Sequence, residues 1–530
     1  MVLANYIKKC AELFYSSTND DAPKYYSPYI TIVQSSGYGK TALVLQVAAQ
    51  IKSYYICLRS KGSTGEPMRT AAVANSKYFC GAGEENKEEA FKALFKKLTH
   101  TAKTFTSASE LLMAQNILNP VKNKSFWNSL LHDCSEATGA PPSPSDLILL
   151  IIDEAASMKS GNDDQDVYLS LRRALQDKSF RIFCIMIDTN SKISTFAPTD
   201  QDDPSSRIVE GTQLFHPWTC IPTMDIRLEL PPMVSTYCET IFCDEQKVFQ
   251  YNRFDILRQS RPLFIRALLL SNAPKNCPGD LWNDLIAFTC KKLFGRECSK
   301  LDTAVTVLAG RYSLIPVDIM TQEALVANRM ATLHNCSVSR ERMEVSYEPE
   351  PVLGEGLACR MAKQFKTIMK TLSKLMASGK VSCAGNQGDY GELVAAIALS
   401  RAYDVLHENH FSRPVMVKKM LALFDITSCT IHKQKTRLSP LRGKKSQPLP
   451  PTSSGGLRFS AVLGSLVSFL QFIRLSKPLS KEMLGKGFRK RVAFFTPTNT
   501  PACDLVIPIL LLSRRKEGAV SSIYTYAGSI

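Results

Sequence analysis

The chain has 530 residues, of which 45% are hydrophobic and 21% charged. Such a composition supports a sizeable core and excludes general disorder, and the length calls for two or three domains. The formal charge of +17 is all at one end: residues 361–530 carry 26 basic and 8 acidic side chains, against 39 and 40 in residues 1–360.

Sixteen cysteines are scattered singly, without a C-x-x-C pair, so neither a zinc module nor a disulfide scaffold organises the chain, and reduced thiols in a nuclear or cytoplasmic compartment are expected. The first ten residues lack the basic start and apolar run of a signal peptide. No stretch reaches 18 apolar residues, so no membrane span is expected.

In chain order, Tyr29 to Gln34 reads as a short buried strand, the glycines after it as a turn, and Ala42 to Ala49 as a helix. Tyr54 to Leu58 reads as a strand and Lys87 to His100 as a helix, with Ala90, Leu94, Phe95 and Leu98 on one side. Leu147 to Ile152 is an apolar strand ending at Asp153, Val167 to Leu175 a helix, and Ile182 to Ile187 another buried strand. Strands alternating with helices predict an α/β fold with a parallel sheet over residues 1–230. Residues 231–380 read as a helical middle region, with helices near 281–293 and 358–376. Residues 381–530 form a smaller, basic part, broken by a flexible insert at 433–456 rich in Lys, Arg, Pro, Ser and Gly.

The segment Gln34-Ser35-Ser36-Gly37-Tyr38-Gly39-Lys40-Thr41 follows a strand and opens a helix. This is the context a phosphate-binding loop requires: Ser36, Gly37 and Gly39 bring backbone N–H groups close to phosphate oxygens, at a helix end that attracts anions. Lys40 reaches the β and γ phosphates, and Thr41 offers its hydroxyl to Mg²⁺. Gln34 stands where such loops usually begin with glycine. Two carboxylates at the end of a buried strand, Asp153 and Glu154, need a cation or an open sheet end. They fit as Mg²⁺ holder and general base. Asn190, or Thr189 beside it, follows the last strand and is a candidate γ-phosphate sensor. Arg207 and Arg261 are candidate phosphate contacts that no spacing singles out.

The basic surplus predicts a polyanion partner, nucleic acid and specifically double-stranded DNA, for the C-terminal third. In that third, Glu392 opens an apolar helix and Asp504 leads a strand, a pair able to bind Mg²⁺ for phosphodiester hydrolysis. A nuclease of this kind takes a Gln or Glu and then a Lys from the next strand, where Tyr526 and Gly528 stand.

Nine segments, ITIVQSSGYGKT (30–41), YYICLRS (54–60), GEP (65–67), LIIDEAASM (150–158), DTNSKISTFAP (188–198), SRPLF (260–264), ALVANRM (324–330), YEPEPVL (347–353) and GDYGELVAAIAL (388–399), resemble in this order the Crinkler-type proteins of fungi and oomycetes. The resemblance covers most of the chain, from about Tyr29 to Val520. It implies a P-loop NTPase joined to a restriction-endonuclease-like domain, hydrolysis of ATP or GTP, DNA as target, and, for secreted members, action in a host nucleus. Two features depart from it: the N-terminal header of the secreted members and the Gln/Glu-x-Lys of the nuclease. The expected function is therefore Mg²⁺-dependent ATP binding and hydrolysis coupled to DNA binding, with the nuclease lost or incomplete. The alternative is a non-catalytic DNA-binding scaffold that uses ATP as a conformational switch.

Overall fold

The computed structural model describes residues 2–16, 25–58, 87–115, 147–159, 165–188, 212–221, 239–244, 247–251, 257, 260–270, 278–295, 298–337, 341–381, 387–406, 414–423, 466–475, 480–497 and 505–510. Helix α1 (Val2–Ser16) precedes strand β1 (Tyr29–Ile32), helix α2 (Lys40–Ala48) and strand β2 (Ser53–Cys57). Helices α3 (Lys87–Lys103) and α4 (Ala108–Ala114), strand β3 (Ile148–Asp153), helix α5 (Gln165–Ala174) and strand β4 (Ile182–Ile187) follow.

The four strands make one parallel sheet in the order β1-β4-β3-β2. Every residue of β1, β3 and β4 is buried, as expected for strands covered on both faces. The two-residue period sorts their side chains between two cores. Leu149, Ile151, Phe183 and Ile185 pack with Ile7 and Phe14 of α1 and Val44 and Leu45 of α2. Ile148, Leu150, Ile152, Ile182 and Met186 pack with Phe91 and Phe95 of α3 and Val167 and Leu171 of α5. An extended segment, 212–221, runs parallel to the outer edge of β1. The Trp218 N–H donates to the Thr31 carbonyl at 2.8 Å, and the Val33 N–H donates to the Trp218 carbonyl at 3.0 Å.

After this sheet come the antiparallel hairpin β5 (Glu239–Asp244) and β6 (Lys247–Tyr251), then helices α6 (Pro262–Leu270), α7 (Pro278–Phe294), α8 (Lys300–Tyr312) and α9 (Ile319–Asn328). A second antiparallel hairpin, β7 (Thr332–Cys336) and β8 (Met343–Ser346), leads to the long helix α10 (Pro351–Ala377), which kinks at Gln364, and to α11 (Gln387–Leu406). The described part of residues 231–380 thus contains helices together with two hairpins that the helical reading omits, whose strands are four to six residues long and do not alternate cleanly.

The remaining described elements are β9 (Val415–Met416), α12 (Val417–Ala422), β10 (Leu466–Val467), β11 (Gln471–Arg474), α13 (Lys481–Lys490), β12 (Val492–Phe495), β13 (Leu505–Val506) and β14 (Ile509–Leu510). They form two small sheets, β14-β10-β9 and β11-β12-β13; β11 and β12 are parallel and joined through α13, and β13 is antiparallel to β12. The insert at 433–456 and the segment with Tyr526 and Gly528 lie outside the described residues. Among the described residues no helix is long and apolar enough to cross a membrane.

One apolar cluster joins α6 to α11 with the small sheets, from Leu257 to Ile509, and takes in Val33 just after β1. Charged groups lie inside it. The Arg311 guanidinium of α8 donates to both oxygens of Asp404 on α11 and, at 3.0 Å, to the Leu470 carbonyl. Arg491 donates to Ser468 and Tyr403, and Glu355 accepts from Trp282 Nε1 at 2.9 Å. A buried charge that loses its partner is far costlier than a pair replaced whole. Asp404→Ala should therefore lower unfolding stability in urea by about 3–5 kcal/mol, while Arg311→Met/Asp404→Leu together should cost clearly less.

Candidate functional site

The loop between β1 and α2 turns on two left-handed glycines, Gly37 at φ +80° and Gly39 at φ +84°. Gly37 is also fixed by space: a Cβ there would meet Leu263 Cβ of α6 at 2.5 Å. Gly39 caps α2, so the first helical N–H groups face the mouth of the loop. Lys40 is buried beneath it, its Nζ donating to the carbonyls of Gln34 at 2.5 Å and Ser35 at 3.2 Å. Burial pulls the Lys40 amine down to about 8, opposed by the carboxylates of Asp153, Asp188 and Glu154.

Thr41 Oγ1 donates to Asp153 Oδ2 at 3.0 Å, joining the start of α2 to the end of β3. Tyr55 of β2 donates its hydroxyl to the same oxygen, and the Glu154 N–H donates to Oδ1 at 2.8 Å. Burial pushes the Asp153 carboxyl upward, against these donors. A hydroxyl and a carboxylate set side by side are hard oxygen donors, the kind Mg²⁺ takes in ones and twos beside phosphates. Glu154 is half-buried and holds φ +58°, a left-handed conformation that costs a non-glycine residue about 1 kcal/mol or more. At the end of β4, Asp188 Oδ2 accepts the Ala156 N–H at 2.6 Å and fixes the turn after Glu154.

The back of the loop rests on the second half of the chain. Gln34 acts as a bridge: its amide donates to the Leu333 carbonyl at 2.9 Å and accepts the Leu333 N–H at 3.0 Å, pairing with β7 much as a strand would. The Tyr38 hydroxyl bonds the Thr332 hydroxyl. Arg261, fully buried, uses every N–H of its guanidinium: on Ser35 Oγ and the Ser36 carbonyl, both at 3.0 Å, on the Met330 carbonyl at 2.8 Å, and on Glu350. The guanidinium also lies 4.5 Å from the centre of the Tyr38 ring. Arg261 is thus a support behind the loop, with no N–H left for a phosphate.

Among the expected site residues, Ser36, Gly37, Gly39, Lys40, Thr41, Asp153 and Glu154 converge here. Asn190, Thr189, Arg207 and Asp504 lie outside the described residues. Glu392 lies on α11 and accepts from Arg474 of β11 at 3.0 Å. Sequence reasoning missed Tyr55, Asp188, Gln34 and Glu350. Asp188 alone carried a local signal, an acid ending a buried strand.

The chain is similar, over residues 3–141 and 142–221, to a family described as a domain of unknown function (DUF8735). That stretch includes the loop, Asp153 and Glu154 and is less than half of the chain. No curated protein and no solved structure matches.

The edge segment adds a pH-sensitive contact. His216 presents Nδ1 to the Pro217 carbonyl and Nε2 to the Cys336 carbonyl of β7, both at 2.9 Å. Two acceptors require a proton on both nitrogens. Contact with the Cys336 side chain, outweighing burial, and these carbonyls raise the imidazole to about 9 from its ordinary 6.5. A raised folded-state value means the stabilisation is complete below about 6.5 and is lost as pH rises through about 9. The fall in Tm across this window should be smaller in His216→Gln than in the wild type.

Proposed function

We propose that this chain binds Mg²⁺·ATP in the β1–α2 loop and hydrolyses it, as a P-loop NTPase whose nucleotide cycle is coupled to nucleic-acid binding. The observation that carries this reading is the 3.0 Å contact between Thr41 and Asp153 at the mouth of a glycine-turned loop. The strand order supports it: β4 lies between the loop strand β1 and the acid-bearing strand β3, the arrangement of ATPases with an added strand.

In this reading the N–H groups of Gly37 to Thr41 cradle the phosphates at the start of α2. Lys40 exchanges the carbonyls of Gln34 and Ser35 for β- and γ-phosphate oxygens, which offsets the burial of its charge. Thr41 and Asp153 would hold Mg²⁺, which supplies neutralisation of the phosphate charge. Glu154, turned by its left-handed backbone at the sheet end, orients a water and accepts its proton as the water oxygen attacks the γ-phosphorus. The bond to ADP breaks, and ADP and phosphate leave. Asn190 is the proposed γ-phosphate sensor. The Crinkler resemblance supplies the wider proposal: a restriction-endonuclease-like C-terminal part, with Glu392 and Asp504 as an incomplete nuclease site, DNA as partner and action in a nucleus or host cell.

The switch reading has its own observation. Gln34 and Arg261 tie the loop to β7 and Glu350, so nucleotide occupancy alone has a path to the rest of the chain. Turnover separates the two readings. With Mg²⁺ and duplex DNA, the wild type should hydrolyse ATP, Lys40→Ala should lose both binding and turnover, and Glu154→Gln should bind ATP but turn over about 10²–10⁴-fold more slowly. ATP binding without Lys40-dependent turnover favours the switch.

A further inference from the structure

We propose that the outer face of α10 beyond its kink is a docking surface for the sugar–phosphate backbone of a nucleic acid. This rests on the nucleic-acid half of the function proposed above and says where that partner sits. Lys366, Lys370 and Lys374 follow one another at four-residue spacing, and Lys363 precedes them just before the kink at Gln364. At 100° per residue the last three fall in one narrow stripe. All four are exposed. The opposite side of the same turns, Ile368, Leu372 and Leu375, is buried in the large apolar cluster, so the stripe cannot rotate inward.

Among the described residues the stripe carries no counter-charge. The acid on α10 is Glu355, buried in the first turns and bonded to Trp282. Among the described residues none of the four lysines forms an ion pair. Like charges at i,i+4 weaken a helix, a cost that an anionic partner would reverse. From Lys363 to Lys374 the helix rises roughly 16 Å, a length over which one strand of a duplex presents about five phosphates. The exposed Thr367 hydroxyl lies between two of the lysines. Two further guanidinium groups lie on or against α10: Arg360 of α10 is 4.4 Å from the centre of the Phe294 ring, and Arg401 of α11 is 5.1 Å from that of Phe365 on α10. The stripe also opens the stretch 361–530, where the whole positive surplus of the chain lies.

An anionic lipid surface is the competing partner for a lysine row. A helix lying on lipid inserts an apolar face, but the apolar face of α10 is already in the core, and no exposed large hydrophobic residue of the described set is on α10. The geometry favours a partner whose phosphates come to the helix, not a layer the helix must enter.

The test compares the full chain with two triple variants of equal charge change, Lys366→Gln/Lys370→Gln/Lys374→Gln on α10 and Lys96→Gln/Lys97→Gln/Lys103→Gln on the exposed side of α3. Binding of a labelled duplex and a labelled single strand is followed by anisotropy from roughly 50 to 200 mM salt, alongside sedimentation with vesicles of phosphatidylserine and phosphatidylcholine. The α10 variant should bind duplex at least ~10-fold more weakly at low salt, with a salt slope shallower by about 2.7, while the α3 variant stays near the wild type. Equal losses in both variants, or none in the α10 variant, overturn the proposal and leave nucleic-acid binding standing elsewhere. A loss seen on vesicles but not on nucleic acid also overturns it. A wild type that binds neither duplex nor single strand at low salt removes the nucleic-acid reading itself, and this surface with it.

Discussion

The Arg261–Glu350 ion pair is the contact on which the β1–α2 loop depends. A fully buried guanidinium is costly unless each N–H finds an acceptor and the charge a partner. Here both conditions are met by bringing four distant segments together: the loop at Ser35 and Ser36, the start of α6 at Arg261, the residue Met330 before β7, and Glu350 at the N-terminus of α10. The pair therefore does more than offset its own desolvation. It holds the back of the loop that carries Gly37, Gly39 and Lys40, through Ser35 and Ser36. It also links the loop to the helix whose far half carries the lysine stripe.

The same arrangement explains a departure in the loop. A glycine at position 34 would leave the backbone of Leu333 without the amide that now meets both its N–H and its carbonyl. Gln34 exchanges a little backbone freedom for a bridge between the parallel sheet and the β7–β8 hairpin. His216 and Thr219 add to this seam, since each bonds a carbonyl of β7. On the other side of the loop, Tyr55 and Thr41 both donate to Asp153, which holds a buried carboxylate in place where solvent cannot.

Much of the first third was legible in the sequence because its signals are local. Six unbroken apolar residues, 147–152, followed by an acid read as a strand covered on both faces, and 182–187 followed the same rule. Gly-x-Gly-Lys-Thr after a strand gave the loop and the start of α2 together. The supports were not legible. Arg261 lies 226 positions from Ser35, and nothing in its neighbours distinguishes it from a surface arginine. Tyr55 sits in a strand whose aromatics read equally well as packing. The two hairpins within 231–380 were hidden by short strands whose polarity follows their neighbours and not the two-residue period. Residues read as a helical middle region and as a separate basic part contribute to one apolar cluster, because interior contacts made at long range leave no periodic mark.

The most direct test of the proposed phosphate cradle is the equilibrium affinity for ATP with Mg²⁺ and with a chelator, in the wild type and in Asp153→Asn. The account predicts that Mg²⁺ tightens binding to the wild type by at least ~10-fold, about 1.4 kcal/mol, and that this gain disappears in the variant. An affinity indifferent to Mg²⁺ in the wild type, or no ATP binding at all, would contradict it.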